Sequence, residues 1–373
     1  MGGHAGTEGQ ADEACKGAAG LCHIRRFSAM TDRKIRNMAE FAQLSGISRP
    51  TVSKYFNDPA SVRKSIRTKI ENALAENDYR PNLFAVNLNK KKPKIIGVIV
   101  PDTGDMFYSE LVRHIEYRCS QSGYFVLVQN SRGDPRLEAR SVDTLLSLKI
   151  AGAIVAPLGI HSDQALMESL RSHIPIVYLD SCLNERSPFV GTDNFQSIGL
   201  VTEYLCRTGS APTYFHIPHV NHNAQERRLA YVATMERLGL PPRVVGIDHR
   251  NDWRFEEMAY LTTQRILAGA GFPTTTLLCA NDRVAVGVMA ALAQNGIKIG
   301  RDPDCGMRVA GHDDQPNSRY CCPPLTTVAQ NFSRLGTMGV ELLLAQIEAE
   351  GPVPRGFSEQ IKLEGTLMLR ASA

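Results

Sequence analysis

The run IIGVIV at residues 95–100 contains no polar side chain. A strand with one face in water alternates apolar and polar residues, whereas a run that is apolar throughout belongs to a strand covered on both faces. The pattern recurs. Apolar runs stand at YFVLV (124–128), GAIVA (152–156), IPIVYLD (174–180), TYFHI (213–217), TTLLCAND (275–282) and MRVAG (307–311). Helical patterns intervene, among them 108–121, 194–206, 225–238 and 283–294. Such alternation implies parallel sheets covered by helices. About 280 residues of it exceed one core and imply two sheets. Ligands in these folds gather at the carboxyl ends of strands. The polar residues fall there: Asp102 and Asp105, Asp180, Asp193, Asn281 with Asp282, and Asp313 with Asp314.

The preceding segment has a different character. Residues 31–94 carry 14 Lys and Arg against 6 Asp and Glu, whereas residues 95–373 carry 25 against 29. A basic module before a mildly acidic body suits one end that meets a polyanion. Asn37 is placed to cap a helix with Met38, Phe41, Ala42 and Ser45 on one face, and Gly46 breaks it. Ser48 is placed to cap a second helix, with Pro50 in its first turn, where a missing N–H costs nothing. Val52, Tyr55 and Phe56 then face inward. A third helix is expected from Lys64 to Asp78, with Ile66, Ile70, Ala73 and Leu74 on one stripe. Three small stripes can bury one another, giving a compact module with a helix-turn-helix. The exposed positions of its second helix are Arg49, Pro50, Ser53 and Lys54. Arg bonds a guanine edge bidentately, Lys reaches a base or a phosphate, and Pro offers only apolar contact, as with a thymine methyl. A plain helical hairpin with solvated charges is the competing reading.

In YRPNLFAVNLNKKKPK (79–94), Pro81 disfavours helix at Arg80 and Asn82 can cap a short segment from Leu83 to Leu88. So short a helix is marginal alone. Docked on DNA and on its twin, it would place Leu88 as a wedge in a minor-groove base step. Lys90, Lys91, Lys92 and Lys94 follow as phosphate contacts or as a soluble linker. Residues 1–30 read as an unstructured extension, dispensable or a mis-assigned start, without the apolar core of a secretory signal. Cys15, Cys22 and His23 lack a second close ligand pair, so no metal site is expected. Nine cysteines without regular spacing suggest reduced thiols in a cytosol, and no apolar run is long enough for a membrane span. Phosphate-loop, dinucleotide, zinc-protease and nucleophile-elbow motifs are missing, so neither catalytic residue nor cofactor is expected.

The motifs TVSKYFND, YRPN with the following LFAVNL, IIGVIVPD, CANDRVAVG, VAGHDD and PPLTTVAQNF, in this order, resemble the lactose/galactose repressor family. The likeness covers nearly everything from Asn37 to the end. It implies an all-α helix-turn-helix headpiece (31–80), a hinge helix and basic linker (81–94), and an α/β two-lobed core (95–373) like periplasmic sugar-binding proteins. That core has two parallel sheets flanked by helices, its lobes expected at roughly 95–192 with 331–357 and 193–330 with 358–373. The implied activity is that of a DNA-binding transcriptional repressor, bacterial, cytoplasmic and nucleoid-associated. It implies a homodimer on near-palindromic double-stranded operator DNA, with affinity tuned by a small effector. No leucine heptads follow the last strand pattern, so a dimer is expected rather than a tail-built tetramer.

By position, Arg49, Pro50 and Lys54 match base-reading residues, while Thr51, Ser53 and Asn57 match phosphate-contacting or supporting ones. Leu88 matches the minor-groove leucine. In the core, Asp105, Phe107 and Tyr108 match the first effector-lining loop, Asp180 a second pocket position and Arg227 the pocket arginine. Trp253, Asn281, Asp313 and Phe332 match further lining positions. Three departures stand out. Pro50 replaces a residue that usually hydrogen-bonds, His312 stands where an aromatic or apolar residue is usual, and Ala230 replaces a common glycine. Carboxylates and amides exchange hydrogen bonds with ring hydroxyls, and an aromatic face packs on a sugar. The effector is therefore expected to be a sugar or sugar derivative, with a purine stacked on Phe107 and Tyr108 as the alternative. Trp253 reads equally as a core anchor. A solute-uptake receptor or a sugar-handling enzyme would use the same core; the receptor would need a signal peptide and no basic module.

Overall fold

The computed structural model describes residues 35–77, 79–82, 93–184, 186–218, 220–247, 253–349 and 359–373. The expected extension at 1–30 and the hinge segment with Leu88 lie outside these residues. The chain forms two compact units, one ending at Asn82 and one beginning at Leu83.

The first unit holds α1 (Met38–Ser45), α2 (Arg49–Asn57) and α3 (Lys64–Asn77). Asn37 caps α1, its side chain accepting from the amides of Ala39 and Glu40, and Gly46 ends it in left-handed backbone at φ 65°. That conformation favours glycine, which has no Cβ to clash. Ser48 precedes α2 as expected but makes no capping bond; its hydroxyl meets Thr51 Oγ1 at 2.8 Å instead. The core is small and aromatic. Phe41, Val52, Ile70 and Tyr79 are buried, with Tyr55, Phe56, Ile66 and Leu74 packed around them. Phe41 stacks on Tyr79 with ring centroids 4.7 Å apart.

The second unit contains two lobes. The first is a six-stranded sheet in the order β11-β5-β4-β3-β1-β2, every pairing parallel. Its strands are β1 (Ile95–Val100), β2 (Phe125–Asn130), β3 (Gly152–Val155), β4 (Ile176–Leu179), β5 (Phe189–Thr192) and β11 (Gln360–Leu363). The two faces of β1 explain its apolar run. Ile96, Val98 and Val100 join the core under α4 (Met106–Gln121) and α11 (Phe332–Glu348). Ile95 and Ile99 join the core under α5 (Pro135–Ser147) and α6 (Gln164–His173).

The second lobe has a parallel sheet in the order β7-β6-β8-β9, from β6 (Thr213–His216), β7 (Val244–Gly246), β8 (Thr276–Cys279) and β9 (Arg308–Ala310). Helices α7 (Asn194–Thr208) and α8 (His222–Arg237) contribute to the core on one face, and α9 (Phe255–Ala268) and α10 (Asp282–Gln294) to that on the other. An antiparallel ribbon, β10 (Thr327–Ala329) with β12 (Thr366–Met368), completes it.

The chain crosses between lobes three times, after β5, before α11 and between β11 and β12. The last crossing corrects the expected boundary at 358. Residues 360–363 extend the first sheet as β11, because their backbone pairs with β5, and the return comes at Glu364–Gly365. The crossings are tied together: Asp193 N donates to Leu363 O at 2.8 Å, Thr192 Oγ1 to Gln330 Oε1 at 2.5 Å, and Gly365 N to Gln196 Oε1 at 2.8 Å. No helix of the described residues is long and apolar enough to cross a membrane.

Candidate functional site

Two surfaces carry the residues singled out above. On α2, burying Val52 turns Arg49, Pro50, Lys54 and Asn57 to solvent, with Thr51 and Ser53 half-buried between them. Pro50 occupies the first turn, and α2 contains no acidic residue. Neither Arg49 nor Lys54 has an ion-pair partner among the described residues, so both charges face water. Asn82, also exposed, closes the described part of this unit.

The second surface is a cleft between the lobes of the core, enclosing about 40 Å³. It is lined by Asp105, Phe107, Tyr108, Asp180, Arg227, Trp253, Asn281 and Asp313, all expected, and by Asn221 and Asn223 among others. Phe332 is a correction. It does not line the cleft; as the first residue of α11 it packs edge-on against the Phe107 ring, centroids 5.4 Å apart, within the first lobe's core.

The polar side chains divide into those committed to protein partners and those left open. Asp105 caps α4, accepting from Phe107 N at 2.9 Å. The same carboxylate reaches across the cleft, accepting from Arg283 Nη1 at 3.1 Å and Gln315 Nε2 at 3.1 Å. Arg283 in turn forks onto Glu256 at 2.6 and 2.7 Å. Burial pushes the Asp105 carboxyl up to about 6 against the pull of Arg283.

Asp180 ends β4 with φ 67°. It accepts from Tyr108 Oη at 3.0 Å and from Asn223 Nδ2, across the cleft, at 2.8 Å. Burial pushes this carboxyl up to about 7, against the opposing charge of Arg227 and the Tyr108 hydroxyl. Asp313 has φ 124°, and non-glycine residues adopt such backbone rarely, a recurrent mark of functional positions. Its Oδ1 accepts from Gln330 Nε2 at 2.7 Å and His312 Nδ1 at 3.0 Å, and lies 3.3 Å from Arg227 Nη1. Burial opposes its charge, yet Arg227 and His312 hold it below the ordinary carboxylate range. His312 is pushed down to about 4 by burial and by Arg227, so it stays neutral, its Nε2 meeting Ser197 Oγ at 2.9 Å.

Arg227 is anchored by Nε to Asn194 Oδ1 at 2.9 Å and by Nη1 to Ala280 O at 2.9 Å. Five side-chain atoms on cleft-lining residues have no hydrogen-bond partner among the described residues: Arg227 Nη2, Asp313 Oδ2, Trp253 Nε1, and the Nδ2 atoms of Asn221 and Asn281, whose oxygens cap α8 and α10. Trp253 is half-buried. It packs on both lobes' cores, and a Cβ on Gly133 of the first lobe would come within 2.1 Å of its ring. Trp253 is thus both core anchor and cleft wall. Asp282, next to Asn281, is sealed away from the cleft by Gln315 N, Ser318 Oγ and Thr327 Oγ1, and burial raises its pKa.

Sequence reasoning missed Asn194, Asn223, Arg283, Gln315 and Gln330. Asn223 had a signal, since it precedes Arg227 by one helical turn on the same face of α8. Gln315 directly follows the flagged HDD, but its reach to Asp105 spans the lobes and has no local signature.

A basic helix-turn-helix unit followed by a two-lobed ligand-binding core defines a ligand-responsive DNA-binding regulator. Residues 37–82 match the family described as bacterial regulatory proteins, lacI family, and residues 193–373 match the periplasmic binding protein-like domain. The HTH-type transcriptional repressor PurR of Haemophilus influenzae is 28% identical over 335 residues, 89% of this chain and 97% of the relative. The ribose operon repressor of Escherichia coli is 28% identical over 342 residues, 90% of this chain and 99% of the relative. A lac repressor dimer bound to operator and the anti-inducer ONPF superposes with TM-score 0.77 at 27% identity, over 91% of this chain and 99% of that one. Residues 37–82 thus carry a lacI-family DNA-binding region ahead of a periplasmic-binding-protein-like domain, and the chain is a DNA-binding transcriptional regulator with a small-effector cleft.

Proposed function

We propose that this regulator is a homodimeric repressor whose grip on a near-palindromic operator is tuned by a neutral or weakly charged polyol of monosaccharide size. Two subunits would present two copies of α2 to successive major grooves, with Arg49 and Lys54 on base edges or phosphates. Pro50 would make apolar contact, and Thr51, Ser53 and Asn57 would support the phosphate contacts. Asn82 and Leu88 are assigned to the minor-groove segment. The effector would favour one arrangement of the lobes, which must part to admit it because the cleft as it stands encloses only about 40 Å³, and so shift operator affinity by about 1–3 kcal/mol.

The observation that carries the effector class is the mixture of unpartnered donors and an acceptor on Arg227, Asn221, Asn281 and Asp313, in a cleft also lined by Tyr108 and Trp253. Adjacent hydroxyls donate and accept at once and match this mixture. A flat purine on the same rings is the second reading, favoured by the tilted Tyr108–Trp253 pair 6.4 Å apart and by the likeness to PurR of Haemophilus influenzae. A thermal-shift screen of the full chain against sugars, polyols and purines tests this reading. Hits are then added to DNA-binding titrations on a site selected from random duplexes. Stabilisation by purines alone overturns the polyol assignment.

A further inference from the structure

More carboxyl groups than guanidiniums are buried around the cleft. Asp105, Asp180, Asp282 and Asp313 are buried around it, against two buried guanidiniums, Arg227 and Arg283. Arg283 divides its single charge between Asp105 and Glu256, and Arg227 lies against Asp313. Asp282 is closed off from the cleft by its three donors. Asp180 is different. It faces the cleft and is 6% exposed, yet no cation lies within ion-pair distance of it among the described residues. Its protein donors, the Tyr108 hydroxyl and the Asn223 amide, are neutral and give one bond to each oxygen. Each oxygen can accept another. A buried carboxylate without a cation either keeps a proton or receives its counter-charge from outside.

We propose that the effector carries a protonated amine on its polyol frame and that this ammonium sits against Asp180. This rests on the polyol reading above and narrows it to amino sugars, iminosugars and amino-polyols. Arg227, Asn281 and Asp313 take the hydroxyls. An anionic effector, such as a sugar phosphate, would meet uncompensated carboxylates. Since burial raises Asp180 to about 7, the ligand-free cleft carries a proton there in mildly acidic solution. The arriving ammonium displaces that proton to solvent, so charge balances without further groups.

The test uses the full chain and matched probes: D-glucosamine with D-glucose, D-galactosamine with D-galactose, D-mannosamine with D-mannose, and 1-deoxynojirimycin with 1,5-anhydro-D-glucitol. For the best pair, titration calorimetry is expected to show the amine binding about tenfold or more tighter than its neutral match. Its affinity should rise about fivefold from pH 6 to pH 7, and paired buffers of different ionisation heat should show more than about half a proton released at pH 6.5. Asp180→Asn should bring the paired affinities within about threefold, with circular dichroism reporting whether the variant folds. Proton release by the parent protein does not depend on that variant. Equal or tighter binding of the neutral probes, no proton release, or a preference that survives in folded Asp180→Asn overturns the inference and leaves the polyol reading standing. Binding by neither set of probes overturns both.

Discussion

The recognition helix and the interlobe cleft solve opposite electrostatic problems. On α2, Arg49 and Lys54 stand in water, and their neighbours ask nothing of them. In the cleft, Arg227 and Arg283 are buried, and each is held by several acceptors from different elements. An exposed cation waits for a polyanion at little cost to folding, because water solvates it and salt screens it. A buried one must be satisfied before any ligand arrives. Removing a charge from α2 should therefore damage binding alone, whereas removing one from the cleft should damage folding and response together.

The largest expected effect breaks the cleft side of this contrast. Arg227→Ala leaves Asp313 buried beside no cation and strips Asn194 Oδ1 and Ala280 O of a donor. We expect a loss of about 3–5 kcal/mol in denaturant unfolding and no effector response in thermal shift. A next, smaller effect concerns pH. Folded Asp180 holds its proton to about 7 against an ordinary 3.8, so its contribution is present at low pH and lost as pH rises through this window. Asp180→Asn, followed by denaturant unfolding without ligand between pH 5 and 6.5, should gain on the parent protein by about 1.4 kcal/mol per pH unit. Arg49→Ala probes the other side. Specific DNA binding should weaken by about 1–3 kcal/mol in anisotropy titrations, with an unchanged melting temperature. The smallest effect is local: Asn37→Ala removes the α1 cap and should cost about 1 kcal/mol in unfolding of the first unit.

The same contrast explains what was legible in the sequence. The headpiece follows local rules, so Asn37, Gly46 and the stripe of Phe41, Val52 and Ile70 could be read directly. In the core, the apolar runs located β1, β3 and β4, because strands covered on both faces are apolar throughout. β7 and the return strand β11 escaped, since β7 has only three residues and the four of β11, Gln360–Leu363, alternate polar and apolar instead of forming an apolar run. The carboxylates at strand ends were visible, but their different fates were not. Asp105 is tied across the cleft by Arg283 and Gln315, whereas Asp180 has only neutral donors, and both outcomes depend on residues distant in sequence. Phe332 misled for the same reason: an aromatic at a helix start carries no sign of which side of Phe107 it will occupy.

The three stitched crossings between the lobes also decide how the core breaks. A protease nick at any one of them leaves two continuous peptide links in place. Neither half can then drift away as an independent fragment, so cleavage there would yield a loosened hinge instead of a severed pair.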